Sequence, residues 1–211
     1  MTTSLLTSLQ KKVDVLSTHW EEIPESRKDL LSVLADEVRH RLSGELPLRL
    51  NFICTHNSRR SQLGQVWATV AALAYDIPAV QTYSGGTEVT AFNLRAVHAL
   101  ERAGFRVEAN TGHDPSNPLY LVKFSEQAEP IRCFSKVYDA TENPTDDFVA
   151  VMTCGEADQN CPVIFGAKRI PLLYDDPKVA DGTETESQTY DARSDQIATE
   201  LLWVFREAAR R

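Results

Sequence analysis

The 211 residues carry 30 acidic against 22 basic side chains, a net charge of -8, and this acidity argues against nucleic acid as a partner, because phosphate backbones bind basic surface by counterion release. Any anion site must therefore be local. With 42% hydrophobic residues the chain can bury one substantial core and leave an appendage, no stretch approaches a membrane span, and without a secretory leader pattern a cytoplasmic location is expected.

Residues 1–46 precede the first strand and read as a helical hairpin. Leu5, Leu6, Leu9, Val13, Leu16 and Trp20 fall on one face of a first helix, while Pro24 suits the first turn of a second. In that helix Leu30, Leu31, Leu34, Val38 and Leu42 repeat until Gly44 and Pro47 stop it. The hairpin is expected to pack on the core or to pair two copies as a homodimer.

Leu48-Arg49-Leu50-Asn51-Phe52-Ile53 alternates as a strand and delivers Cys54-Thr55-His56-Asn57-Ser58-Arg59-Arg60-Ser61 as a tight loop. A helix follows from about Ser61, with Leu63, Val66, Trp67, Val70 and Leu73 at helical spacing. Such a loop turns its backbone N–H groups toward the point where the helix leaves donors unpaired, which makes an oxyanion cradle. Converging N–H dipoles and the Arg60 guanidinium favour a thiolate nucleophile at Cys54. The planar guanidinium can hold two oxygens of a tetrahedral oxyanion at once, and Ser61 can donate its hydroxyl to the sulfur.

Ala79 to Ser84 predicts a second strand before Gly85-Gly86, and Phe92, Ala96, Ala99 and Leu100 predict a helix ending at Ala103-Gly104. This alternation implies a parallel sheet covered on both faces. About residues 113–146 the pattern loosens into an insertion, with short edge strands expected at Leu119 to Lys123 and Ile131 to Val137 beside the main sheet. Cys133 there reads as a small buried hydrophobe. Phe148 to Thr153 is a fully buried strand that brings Cys154 to the same sheet edge as Cys54. Arg169 to Tyr174 forms the last strand, followed by Asp175-Asp176-Pro177, in which Pro177 biases Asp176 to an extended conformation. Ile197, Leu201, Val204, Phe205 and Ala208 mark a closing helix that packs and does not react.

The Cys54-x5-Arg60-Ser61 loop, the Tyr83-Ser84-Gly85-Gly86 turn, the Cys154 to Cys161 segment and the Asp176-Pro177 pair together resemble the low-molecular-weight protein tyrosine phosphatases and the thioredoxin-coupled arsenate reductases. That resemblance covers about residues 48–112 and 147–208 and implies an α/β fold, a four-stranded parallel sheet with helices on both faces, to which the N-terminal helical hairpin is an extension. The expected division is 1–46 for the extension and 47–211 for the catalytic domain. By resemblance Cys54 is the nucleophile, Arg60 the oxyanion binder and Asp176 the general acid. Thr55, His56, Asn57, Ser58, Arg59 and Ser61 form the oxyanion-binding loop, with Asn57 and Ser61 bracing it.

Cys154-Gly155-Glu156-Ala157-Asp158-Gln159-Asn160-Cys161-Pro162 resembles the redox segment of the reductases, which plain phosphatases of this fold lack. The resemblance implies that Cys54 attacks arsenate, Cys154 displaces arsenite, and Cys161 exchanges to leave a disulfide for thioredoxin. The alternative is a phosphatase working through a Cys54 phosphocysteine. No cofactor is expected, and no metal site, since neither a second close cysteine pair nor a histidine at ligand spacing accompanies the cysteines. The chain departs from the reductases at Arg59, where they have a cysteine, and at His56, where a glycine marks a left-handed loop position. Gln65 and His113 stand where they place the carboxylates associated with potassium.

Overall fold

Strand β1 (Leu48–Cys54) becomes the centre of a four-stranded sheet in the order β2-β1-β6-β7, with β2 (Val80–Gly86), β6 (Phe148–Met152) and β7 (Ala167–Pro171) all parallel to their neighbours. The computed structural model describes residues 3–110, 112, 114–160 and 163–210. β6 is buried along its whole length, as a parallel strand covered on both faces must be. Cys54 pairs with Gly86 across β1 and β2, and Ile53 with Met152 across β1 and β6, so the three carboxyl ends emerge together. The chain leaves β1 toward β2 on one side and β6 enters on the other, which opens a crevice at that edge.

One face of the sheet presents Leu48, Leu50, Phe52, Val149, Val151 and Ile170 to α3 (Arg60–Ala74) and α6 (Glu186–Ala209). Trp67 of α3 is fully buried there, its indole N–H donating to Ser194 at 2.9 Å and its ring edge-on to Phe105. Gly64 lets α3 close on β1, since a Cβ at that position would lie 2.5 Å from the Phe52 ring. The other face packs Ile53, Ala150 and Met152 against α5 (Gly155–Asn160) and Ile164.

The N-terminal residues form α1 (Thr7–Leu16), a 3-10 turn (Trp20–Glu22) and α2 (Glu25–Ser43). Leu9, Val13, Leu16, Leu31, Leu34 and Val38 are buried in the same core as the sheet. α1 rests on the turn that ends α4 (Leu94–Ala103), where Gly104 adopts φ 108° and a Cβ would meet Leu9 N at 2.8 Å. Among the described residues no helix is long and apolar enough to cross a membrane.

α2 is tied to the sheet through charge. Glu37 accepts from Arg41 at 2.7 Å and from Lys168 at 2.6 Å, and Arg41 also reaches Asp147 at 2.9 Å. Burial alone pushes the Glu37 carboxyl up, but hydrogen bonds from Lys168 and Arg41 outweigh it and hold it below its ordinary value. The stability this contributes is therefore complete above the ordinary carboxylate value and is lost as pH falls through the lower folded value. Glu37→Gln removes the charge shared by Lys168 and the buried Arg41, which keeps Asp147, and is expected to cost about 2 kcal/mol in urea unfolding at pH 7, with the difference from the native chain shrinking in acid.

The insertion differs from its expected form. β4 (Leu119–Lys123) and β5 (Ile131–Cys133) do not join the main sheet; they pair antiparallel in a sheet of their own, with β3 (Arg106–Asn110) on the other side of β4. β5 ends at Cys133 because the following residues turn along the outer edge of β2, where Gly86 N–H donates to Lys136 O at 2.8 Å and Tyr138 N–H to Gly86 O at 2.9 Å. Gly85 permits this close passage: a Cβ there would stand 2.3 Å from Tyr138 Cα. The last strand also ends earlier than expected, at Pro171, although Leu172 and Tyr174 still donate to Met152 and Thr153.

Candidate active site

β1 ends at Cys54, 3% exposed, and α3 begins at Arg60, so the intervening loop must reverse within a few residues. The reversal falls on Asn57, which adopts φ 46°. The expectation that His56 takes the left-handed position is thus corrected; asparagine tolerates that region better than most residues. Asn57 is also the internal brace. Its amide N–H donates to Ser61 Oγ at 2.8 Å, and its Oδ1 accepts from Lys136 N–H at 3.0 Å and Gln62 Nε2 at 3.2 Å.

Ser61 Oγ lies 3.1 Å from Cys54 Sγ. Because that oxygen already accepts from Asn57, its own proton is available to the sulfur, where it would stabilise a thiolate. Gly86 at the end of β2 supports the loop from outside, since a Cβ there would come within 2.7 Å of both Asn57 N and Thr55 O. Ser58 Oγ donates to Ala91 O at 2.7 Å and anchors the loop to the segment before α4. The His56 ring sits 3.5 Å from Glu88 at the rim.

A small cleft opens over this loop, lined by Cys54, His56, Ser58, Arg59, Arg60 and Asp176. Arg60 donates to Tyr174 O at 2.9 Å and to Asp176 Oδ2 at 2.7 Å. Asp176 is extended before Pro177 and caps a short 3-10 turn by accepting from Lys178 N–H. The residue types singled out from sequence therefore meet in one place: thiol, guanidinium and carboxyl around a single opening.

The sequence did not disclose what holds Arg59. Its Nε donates to Tyr190 OH at 2.7 Å, and its Nη2 lies 3.4 Å from Asp181. Tyr190 in turn donates to Asp181 at 2.7 Å, and burial together with that carboxylate pushes its phenol up to about 12. A tyrosine on a closing helix carries no local signal of this contact.

Cys154, 2% exposed, follows β6 and packs in the cluster that contains Cys54. Thr153 ties the two strand ends together by donating both its N–H and its hydroxyl to Ile53 O. Thr55 Oγ1 bridges from the loop to Cys154 Sγ at 3.4 Å and to Glu156 Oε2 at 3.0 Å. Cys161 lies outside the described residues, as does His113. Cys133 is buried in the main core, where desolvation pushes its thiol up to about 12. The described cysteines Cys54, Cys133 and Cys154 are all free thiols.

Gln65 brings a neutral amide that donates to Thr82 O, and the cleft it lines also holds the nearly buried ammonium of Lys136, which would repel a cation.

No protein-family model matches the chain. Curated relatives do: it is 29% identical over 152 residues to an arsenate reductase of Bacillus subtilis, covering 71% of this chain and 89% of the relative. It is 30% identical over 143 residues to an arsenate reductase of Bacillus licheniformis, covering 67% and 83%. Among solved structures, a YwlE mutant from Bacillus subtilis superposes with a TM-score of 0.50 at 14% identity, over 77% of this chain and 99% of the other, a likeness of fold.

Proposed function

The chain belongs to the arsenate reductase family, and on that footing we propose that it reduces arsenate to arsenite through a relay of Cys54, Cys154 and Cys161, with thioredoxin as reductant. The observation that carries this reading is the place of Cys154: a second buried thiol, at the neighbouring strand end and joined through Thr55 to the loop that holds Cys54.

Arsenate enters the loop and takes the Arg60 guanidinium from Asp176. Asp176 then protonates the departing oxygen. Cys54 attacks arsenic, an S–As bond forms and that oxygen leaves as water. Cys154 thiolate then attacks Cys54 sulfur: the S–S bond forms, the S–As bond breaks, and its electron pair passes to arsenic, which leaves as arsenite. The two thiols have lost two electrons and arsenic has gained them. Cys161 attacks Cys154, freeing Cys54, and thioredoxin reduces the resulting disulfide by thiolate exchange.

A low-molecular-weight protein tyrosine phosphatase would use Cys54, Arg60 and Asp176 in the same places and leave Cys154 idle. The test is arsenate-dependent NADPH oxidation coupled through thioredoxin and thioredoxin reductase, run beside aryl phosphate hydrolysis. Arsenate turnover supports the relay; hydrolysis alone, with no arsenate-dependent oxidation, replaces it with the phosphatase. Pairing of two copies through the N-terminal hairpin would rest on Val15, Leu30 and Val33, its exposed apolar residues, and sedimentation measures it.

A further inference from the structure

β2 is an edge strand, and residues 134–138 cover its outer side only near Gly86. Toward its start a cleft of about 390 Å³ stands open between that edge and the small sheet, walled by Val80, Tyr83, Phe124, Ile131 and Phe134. That size and those walls suit a small organic molecule. The same cleft is lined by Lys136, which is only 7% exposed. Among the described residues no carboxylate comes within ion-pair distance of the Lys136 ammonium, and its close neighbour is the face of the Phe134 ring, 4.8 Å away. Burial pulls its pKa below the ordinary lysine value. A buried charge of this kind costs stability until an anion meets it. The other charged groups on the cleft, Glu129, Arg132 and Glu142, are exposed, where water and salt screen them. One desolvated positive charge therefore stands among aromatic and aliphatic walls.

We infer that this cleft is a second ligand site, which binds a small aromatic carboxylate with its carboxylate on Lys136 and its ring against the apolar walls. An inorganic oxyanion would meet the charge and leave those walls in water; a neutral aromatic would cover the walls and leave the ammonium without an anion. A molecule with both parts satisfies both. The site shares no residue with the cleft over Cys54 and stands whichever reaction that cleft performs. It lies behind the Cys54 loop: Lys136 N–H donates to Asn57 Oδ1 at 3.0 Å and Phe134 O accepts from Gln62 Nε2 at 2.8 Å. The backbone of this segment thus braces the loop, while its side chains serve the cleft.

The experiment is titration calorimetry of the full chain with benzoate and phenylacetate, beside benzyl alcohol as the uncharged match. At least one acid is expected to bind with a dissociation constant of about 1 mM or below, and about tenfold or more tighter than the alcohol. Backbone amide shifts should place it at Thr82, Phe134 and Lys136, and phosphate added to fill the Cys54 loop should leave its affinity unchanged. Lys136→Met is expected to weaken the acid by about tenfold or more, and to keep the thermal midpoint at or above native, because it replaces an unpaired buried charge by an apolar chain of similar length. Phe134→Leu keeps the backbone bond to Gln62 and should weaken the acid about threefold. Failure of both acids to bind below about 10 mM overturns the inference, as does equal affinity for acid and alcohol. Native affinity in Lys136→Met overturns it too, and so does a midpoint well below native, which would make the ammonium a structural group. Competition by phosphate would put the acid in the Cys54 loop, with the same consequence.

Discussion

Cys154→Ser is expected to abolish thioredoxin-coupled arsenite formation while leaving aryl phosphate hydrolysis within about twofold of native, although the side chain exchanged is buried. Serine keeps the volume and the hydrogen-bonding position beside Thr55 and Ala157, so the fold and the Cys54 loop are not disturbed. What it removes is the soft, oxidisable sulfur that must accept a bond from Cys54 sulfur. An alkoxide cannot form the disulfide, the S–As bond then has no partner to push its electrons onto arsenic, and the adduct can only revert with water. The measurement is the pair of rates on one preparation. Equal loss of both would place Cys154 in the structure of the loop and outside the redox step.

Arg60→Lys is the second large effect. The guanidinium spans Tyr174 O on one nitrogen and the Asp176 carboxylate on the other, a fork that would grip two oxygens of a tetrahedral oxyanion in the same plane. Lysine keeps the charge and loses the fork. A loss of about 10²–10³ in kcat/KM is expected for arsenate and for aryl phosphate alike, comparable to removing one preorganised oxyanion donor. Stability should change little, because Asp176 retains its bond from Lys178 N–H. A variant with near-native kcat/KM would show that the loop N–H groups alone carry the oxyanion.

The parallel sheet was legible because its strands are long apolar runs bounded by clear punctuation: β1 and β6 announce themselves, and the residues behind them follow the helical period. The loop was legible for a different reason, the spacing of Cys54, Arg60 and Ser61 behind a strand. β3 was not, since Arg106, Glu108, Ala109 and Asn110 are exposed and offer no alternation to read. The path of residues 134–138 along β2 was hidden as well, because it depends on what Gly85 and Gly86 lack rather than on any side chain. Within the site, local sequence pointed to the left-handed position but not to its occupant. It was silent on contacts between residues distant in sequence: Arg59 with Tyr190 and Asp181, and Thr55 with Cys154 and Glu156. Such pairs are settled by packing, which brings α6 and the end of β6 against the loop.

The spare thiol of Cys133 has a practical use. It is sealed in the core and its thiol is pushed to about 12, so a maleimide dye cannot label it while the native packing around β5 persists. In a chain whose other described cysteines are replaced by serine and whose Cys161 is replaced likewise, dye incorporation becomes a clock for opening of that small sheet. Read at increasing dye concentration, it separates a local breathing of the β3-β4-β5 layer from global unfolding, within the same molecule and without any added probe site.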